Sequence, residues 1–294
     1  MTRIIALVGI IAISFSAIFV RLADVAPATA GLFRAVYALP LLFLLNRIAG
    51  DERSTRLRLM ALTSGLFLAA DVALWHTSIG LVGAGMSTVV ANTQVLWVGA
   101  AAWVIFRERP TSTAFVVVPL VLAGVALIGG AGSDDAFGDN PALGAVLALG
   151  AGLFYAVFLL LFRRANAEGV PTAGPLLDVT IGITAAFVVG GWLDPGFSLT
   201  PQWPSHAWLI ALAVLVHTGG WLLIARALPR LPALETSIML LLQPAATIVW
   251  AGIIFDERMS ANQWIGVTLV LIGILAAASR GTVRPTEART PRDP

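Results

Sequence analysis

The chain has 294 residues, of which 58% are hydrophobic and only 12% are charged. Soluble domains carry about 25% charged residues, so this composition indicates an integral membrane protein rather than a soluble globule. All 18 basic residues are arginine, and cysteine is absent. These two absences exclude a P-loop lysine, a Schiff-base lysine, a disulfide, a thiolate nucleophile and a cysteine metal site.

Ten apolar runs follow one another along the chain, and about 20 such residues suffice to cross the hydrocarbon core of a bilayer as a helix. Short connections marked by proline, glycine, aspartate or arginine separate the runs. The sequence therefore predicts an all-α integral membrane protein with ten transmembrane helices. The predicted spans are residues 4–22, 27–45, 58–81, 84–106, 113–131, 141–162, 172–193, 206–227, 231–255 and 261–279.

The arginines are distributed unequally between the two sides that this topology defines. Fifteen lie in the N-terminal segment, the even-numbered connections and the C-terminal segment. Only Arg21 and Arg258 lie on the other side, and Arg34 lies within a span. Because positively charged loops stay in the cytoplasm, we expect a multi-pass protein of the plasma (inner) membrane with both termini cytoplasmic. The polar segment 281–294 is expected to be a disordered cytoplasmic tail.

The two halves of the chain share a motif at a fixed offset of 149 residues. Residues 106–124 and 255–273 are identical at eight of nineteen positions, including a Glu-Arg pair at the same helix junction. The same offset matches Gln94 to Gln243. Scattered leucine and valine matches arise from apolar composition alone, but a shared Glu-Arg pair and a shared glutamine indicate an internal repeat.

Five spans in each half is an odd number, so the second half enters the membrane from the opposite side. The sequence thus predicts one transporter domain made of two inverted five-helix repeats, 1–131 and 141–280, joined by an outer linker at 132–140. Inverted repeats are typical of secondary transporters, whose substrate site lies near the midplane between the halves.

This arrangement resembles the drug/metabolite transporter superfamily, EamA branch. The matching segments are FRAVYALPLL, ADVALWHTSI, NTQVLWVGAAAWVIFRERP, HTGGWLLIARALPRLPA and LLLQPAATIVWAGIIFDER, in the second, third, fourth, eighth and ninth spans. The resemblance covers nearly the whole chain. It implies export or facilitated movement of small metabolites, with aromatic amino-acid exporters as one known type of member, and it does not specify the substrate.

Two charged side chains lie deep within predicted spans. Arg34 and Asp71 lie ~10 and ~15 Å below the outer face at 1.5 Å per residue. Charges at such depth usually face a cavity or a partner, and we expect these two side chains to come within hydrogen-bonding reach in at least one conformation. Two interpretations stay open: a structural ion pair, or a role with a substrate carboxylate or a proton.

His76 lies five residues after Asp71, which places the two ~140° apart around the helix and argues against one shared cavity wall. His217, in the eighth span, is either a hydrogen-bonded packing residue or a proton carrier. Two further expectations concern span ends: His206 is interpreted as interfacial, and Asp178 as a first-turn acid in its helix dipole.

The repeat mates Gln94 and Gln243 both lie ~16 Å inside their spans, from opposite faces. Their amides suit a polar substrate group, although helix–helix hydrogen bonding is the alternative. Trp75 and Trp97 are also deep and either line the site or fill the bundle. The candidate substrate-binding residues are therefore Arg34, Asp71, Trp75, His76, Gln94, Trp97, His217 and Gln243. We expect no catalytic residue, no metal site and no cofactor.

The sequence thus favours a secondary transporter that exports or facilitates the movement of small metabolites, such as amino acids, by alternating access. Its expected partners are a small-molecule substrate and the lipid bilayer, without nucleic acid; proton coupling and oligomeric state stay open. The alternative is an intramembrane enzyme using polar residues at the bundle centre, which needs a nucleophile–base pair or metal ligands at matched depth. A scaffold subunit would explain the apolar chain but not its deep polar residues.

Overall fold

A computed structural model of the protein describes residues 2–106, 114–166, 172–227 and 233–280. All regular secondary structure in these residues is helical. The all-helical prediction is confirmed for these residues. The first half contains α1 Thr2–Ser14, α2 Ser16–Ala23, α3 Pro27–Val36, α4 Leu39–Ala49, α5 Thr55–Val82, α6 Ala84–Ala91, α7 Gln94–Phe106 and α8 Ala114–Ile128. The second half contains α9 Pro141–Ala165, α10 Ala173–Gly190, α11 Ser205–Ala211, the π-helical segment Leu212–Gly220, α12 Trp221–Ala227, α13 Ala233–Phe255 and α14 Ala261–Arg280.

Within the described residues, six helical segments are long and apolar enough to cross a membrane. They are Thr2–Ala23, Pro27–Ala49, Thr55–Val82, Pro141–Ala165, Ala173–Leu193 and Ser205–Arg226. Shorter apolar helices are Phe115–Ile128, Leu242–Phe255 and Ala261–Ala276. Where the structure describes them, the predicted spans are helical except for short turns at Phe15, 37–38, 92–93 and 129–131 and at Thr172. The predicted tail 281–294 and the first copy of the Glu-Arg motif, at Glu108, lie outside the described residues.

Local signals in the sequence explain where several helices begin and end. Pro27 is the first residue of α3, where the missing N–H of proline costs nothing. The side chain of Asn140 accepts a hydrogen bond from the N–H of Leu143 (3.1 Å) and thereby caps α9. Gly50 and Gly83 follow α4 and α5 with φ of 68° and 91°, a left-handed conformation that glycine adopts without strain.

Three predicted spans are interrupted, between α1 and α2, α3 and α4, and α6 and α7, and at two of these breaks side chains satisfy freed carbonyl groups. Between α1 and α2, the carbonyl of Ser14 accepts a hydrogen bond from the hydroxyl of Thr247 on α13 (2.9 Å). Between α6 and α7, the side-chain amide of Gln94 donates to the carbonyls of Ala91 (2.7 Å) and Asn92 (3.1 Å). Such partners allow helices to be broken within an apolar environment, where an unpaired carbonyl would be costly.

The two halves of the chain approach each other closely where glycines face a neighbouring backbone. A Cβ atom added at Gly65 on α5 would lie 2.2 Å from the carbonyl oxygen of Val179 on α10. A Cβ atom added at Gly182 on α10 would lie 2.2 Å from the carbonyl oxygen of Leu62. Small residues at such crossings let helices pack backbone to backbone, and here they bring α5 and α10 together around the polar residues described next.

Candidate functional site

Arg34 on α3 is buried at the centre of a group of polar side chains. Its Nη1 lies 3.5 Å from Nε2 of His76 on α5, and its buried Nε has no hydrogen-bond partner among the described residues. Asp71 on α5 and Tyr155 on α9 lie close enough to interact electrostatically with the guanidinium. We call Arg34, Asp71, His76, Tyr155 and His217 the central cluster. It joins helices from both halves of the chain.

The contacts of His76 define its protonation state. Nδ1 lies 3.2 Å from the carbonyl oxygen of Pro27, which can only accept a hydrogen bond, so Nδ1 carries the hydrogen. Nε2 faces a guanidinium N–H of Arg34 and therefore acts as the acceptor. A neutral His76 satisfies both contacts, whereas a proton on Nε2 would remove the acceptor and add a positive charge beside Arg34.

Asp71 is buried but forms no ion pair with Arg34 in this conformation, because the guanidinium is turned towards His76. Both residues are buried, and the contact expected between them in at least one conformation is not formed in this one. The part of the chain that the structure describes offers the Asp71 carboxylate no hydrogen bond. The buried carboxylate of Asp71 and the buried guanidinium of Arg34 thus lie near each other, and each has hydrogen-bonding atoms without a partner among the described residues.

His217 lies in the π-helical segment, and one hydrogen bond, to Thr180, sets the orientation of its imidazole ring. Its Nε2 is 2.9 Å from the hydroxyl oxygen of Thr180 on α10, whose hydrogen is donated to the carbonyl of Leu176 (2.7 Å). The hydroxyl oxygen therefore accepts from Nε2, and Nδ1 of His217 is a buried acceptor without a partner among the described residues. π-Helical turns within α-helices often occur at functional sites.

The two glutamines related by the repeat have different surroundings. Gln94 uses its amide to close the break between α6 and α7, as described above. The side chain of Gln243, which precedes Pro244 within α13, makes no hydrogen bond to any described residue and is half-buried. Of the pair, only Gln243 therefore retains free amide donors and an acceptor.

Trp75 is buried beside the central cluster, with its ring centroid 5.5 Å from that of His76. Trp75 and Trp97 both have an indole N–H without a partner among the described residues. Sequence analysis did not identify Tyr155 or Thr180 as members of the site. Tyr155 is one of only two tyrosines in the chain, and a phenol within an apolar run is the signal that could have identified it.

His206 lies at the start of α11, the helix end at which it was expected, and its side chain is buried in the protein. Its Nδ1 lies 2.6 Å from the hydroxyl of Tyr37, and its ring lies edge-on to Phe33 with centroids 4.4 Å apart. Packing of α11 against α3 removes this residue from the surface.

In the described part of the chain, no group of three or more His, Asp or Glu side chains could hold a metal ion.

A second group of charges, which we call the outer cluster, consists of Arg21 and Glu257 with the first N–H groups of α6. The buried Glu257 carboxylate accepts hydrogen bonds from Ala84 N (2.7 Å) and Gly85 N (3.2 Å) and pairs with Arg21. The Arg21 guanidinium also lies 4.3 Å from the ring centroid of Phe255, a cation–π contact. The second copy of the Glu-Arg motif thus closes the end of the bundle where α2, α6 and α13 meet.

At the opposite end, an inner cluster consists of Asp51, Arg53 and Asp178. The buried guanidinium of Arg53 lies 2.8 Å from Asp51 and 2.6 Å from Asp178. Hydrogen bonding to Arg53 lowers the pKa of Asp51 to about 2. The expectation for Asp178 is wrong, because α10 begins at Ala173, so Asp178 lies beyond the first turn and pairs across to the α4–α5 connection instead.

Comparison with known proteins finds one matching family and several relatives. The profile of the EamA-like transporter family matches residues 2–130 and 142–279. The threonine/homoserine exporter RhtA of Escherichia coli (strain K12) is 30% identical over 228 residues, covering 76% of this chain and 71% of the exporter. The uncharacterized transporter YwfM of Bacillus subtilis (strain 168) is 24% identical over 207 residues, covering 70% of this chain and 68% of that protein.

One solved crystal structure has the same fold, with a TM-score of 0.62 at 16% sequence identity. The match covers 94% of this chain and 96% of the other.

Proposed function

Because this chain belongs to the EamA-like transporter family, we propose that it exports small amino acids or similar amphipathic metabolites by alternating access. The family and the apolar helices make it a multi-pass membrane transporter. The observation that carries the proposal is the central cluster, where Arg34 and Asp71 are buried between helices of the two halves without a direct ion pair.

The chemistry of this cluster suits a zwitterion. A guanidinium with free N–H groups binds a carboxylate, and the Nε of Arg34 has no partner among the described residues. Asp71 offers a carboxylate to an ammonium group. The indole of Trp75 and the ring of Tyr155, which lies 6.4 Å from that of Trp221, supply apolar surface for a side chain. The exporter RhtA, named for threonine and homoserine, supports the same class of substrate.

The remaining predicted residues complete the proposed site. His76 orients Arg34, and His217 adds a buried ring acceptor without a partner among the described residues. Gln243 adds amide donors from the second half, and Trp97 and Gln94 line the region around the α6–α7 break. Protonation of His76 would remove the acceptor that holds Nη1 of Arg34 and would free the guanidinium for substrate. Coupling of transport to protons by this route must overcome the burial of His76 and the charge of Arg34, both of which disfavour the proton.

We propose ten spans in the inner membrane, arranged as two inverted five-helix repeats with both termini cytoplasmic. The ranges matched by the family profile, 2–130 and 142–279, nearly coincide with the proposed repeats. The offset of 149 residues adds support, since it relates the helical residues 84–91 and 94–106 to residues 233–240 and 243–255, which are also helical.

Alternating access then requires the outer cluster to separate when the outer face opens. Glu257 joins the α13–α14 connection of the second half to α2 and α6 of the first half, so separation of the halves must break these contacts. The enzyme alternative finds no support in the site, since His76 is bonded to Arg34 and Pro27 rather than to Asp71. We therefore propose no enzymatic activity.

The experiment is counterflow in proteoliposomes that contain the purified full chain. Vesicles loaded with unlabelled threonine, homoserine, tryptophan or glutamate are diluted into the labelled compound, with and without a pH gradient. We expect counterflow of neutral amino acids and a change in net flux with the gradient. No counterflow of any amino acid, from protein that is folded and inserted, would contradict the proposed function.

A further inference from the structure

A cavity of about 360 Å³ lies beside the inner cluster, at the end of the bundle where α4 ends and α10 begins. Its wall is formed by side chains of α4, the α4–α5 connection, the first turn of α5 and α10. These side chains are Phe43, Asn46, Arg47, Asp51, Arg58 and Leu177. None of them belongs to the central cluster.

One side of the cavity is positively charged. Arg47 is exposed and makes no hydrogen bond or ion pair with any described residue. The side chain of Arg58 is half exposed, and its one charged neighbour in the described part of the chain is Asp178, at 3.8 Å. Two guanidinium groups with unused N–H donors on one wall favour an anionic ligand group.

The other side of the cavity has carboxylate oxygens and a free acceptor. The carboxylates of Asp51 and Asp178 share the buried guanidinium of Arg53, and Asp178 also lies 3.8 Å from Arg58. Oδ1 of Asn46 is buried and has no hydrogen-bond partner among the described residues. A buried acceptor beside carboxylate oxygens requires a donor, and an ammonium group supplies one.

Gly174 keeps these groups together. A Cβ atom added there would lie 2.7 Å from Oδ2 of Asp51, 2.8 Å from Nη2 of Arg53 and 2.9 Å from Oδ1 of Asn46. The three polar groups therefore converge on one point of the α10 backbone. Any side chain at position 174 would displace at least one of them.

We propose that this cavity binds a small zwitterion, with its ammonium group at Asn46 and Asp51 and its anionic group at Arg47 and Arg58. Two sources could supply such a zwitterion: the headgroup of phosphatidylethanolamine, or a free amino acid. The phospholipid fits better, because Phe43 on the cavity wall is exposed, as are Leu44 and Ile48 on the same helix, and exposed apolar side chains suit acyl chains.

The test is native mass spectrometry of the full chain purified in dodecyl maltoside, which counts bound lipids. The protein is incubated with dihexanoyl phosphatidylethanolamine, with dihexanoyl phosphatidylglycerol of equal chain length, or with inorganic phosphate. We expect one phosphatidylethanolamine to bind about tenfold or more tightly than either anion. Asn46→Leu should abolish this preference, and Arg47→Gln should weaken the binding of both lipids. Arg56→Gln, which changes an exposed arginine outside the cavity wall, should alter neither.

Equal binding of phosphatidylethanolamine and phosphatidylglycerol would overturn the proposal. So would retention of the preference in Asn46→Leu, or wild-type affinity for both lipids in Arg47→Gln. A threonine competition identifies the source of the zwitterion. Displacement of the lipid by threonine would support the amino acid as occupant, and retention of the lipid would support the headgroup. These measurements need no transport, so the cavity proposal and the proposed function can fail separately.

Discussion

The carboxylate of Glu257 accepts a hydrogen bond from the backbone N–H of Ala84, at 2.7 Å, across 173 residues of sequence. Ala84 is the first residue of α6, so the negative charge lies at the positive end of a helix dipole. Arg21 pairs with the same carboxylate. One acidic side chain of the second half thus holds two helices of the first half together.

We expect Glu257→Gln to open this end of the bundle, because the amide keeps an acceptor but loses the charge that holds Arg21. The chain has no cysteine, so Ser87→Cys on α6 introduces a unique and buried thiol. Labelling of this thiol by a membrane-impermeant maleimide should be several-fold faster in the Glu257→Gln background. The control is Arg258→Gln, which removes an exposed neighbouring charge. Equal labelling in all three proteins would show that Glu257 does not close this face.

His76 is expected to stabilise Arg34 as a hydrogen-bond acceptor. His76→Ala leaves Nη1 of Arg34 buried without a partner, which costs about 1–3 kcal/mol. His76→Gln retains an acceptor at similar reach and should lose less. Thermal unfolding of the purified variants in one detergent provides the comparison. A larger loss in His76→Gln than in His76→Ala would contradict this role.

The crossing of α5 and α10 depends on the absence of a side chain at Gly65. In Gly65→Ala the new Cβ would overlap the carbonyl oxygen of Val179, so the helices must separate. We predict a clear loss of folded yield by fluorescence-detected gel filtration. The matched control is Gly80→Ala on the same helix, where nothing lies within 4 Å and the substitution should be neutral or stabilising. Similar yields of folded protein from both variants would mean that α5 and α10 can move apart at Gly65 without loss of the fold.

The inner cluster predicts a pH dependence of stability. The hydrogen bonds from Arg53 lower the pKa of Asp51 to about 2 in the folded protein, below its value of about 3.9 in an unfolded chain. This carboxylate therefore stabilises the fold above about pH 4, and its contribution is lost as the pH falls towards about 2. Asp51→Asn should lower the unfolding temperature near neutral pH and approach the wild-type value in acid. If the difference in unfolding temperature between Asp51→Asn and wild type did not change with pH, the Asp51–Arg53 ion pair could not be its cause.

Sequence reasoning located the helices because the length of an apolar run is a local property. The run 141–162 coincides with α9, Pro141–Ala165, to within three residues. The α6–α7 break was not predicted, because the amide of Gln94 that closes it is recognised only once its orientation is known. The break before α4 had a local signal in Pro40, whose missing N–H cannot bond to the preceding turn.

The sequence indicated which residues of the candidate site are buried, but only in part which of them are in contact. Arg34, Asp71 and His217 are buried, as their positions within spans indicated. Depth does not define how each helix is rotated, so the contact between Arg34 and His76 could not be foreseen. The roles of Glu257 and Asp178 depend on partners 173 and 125 residues away, which no local pattern encodes.

The most direct test of the account is threonine counterflow by Arg34→Gln, compared with wild type and Arg56→Gln at equal amounts of inserted protein. If Arg34 binds the substrate carboxylate, its replacement removes charge-assisted hydrogen bonds and should reduce counterflow by about tenfold or more. Arg56→Gln, which removes the same charge from an exposed position, should transport as wild type does. Wild-type counterflow by folded Arg34→Gln protein would contradict the central claim that this buried arginine binds the transported compound.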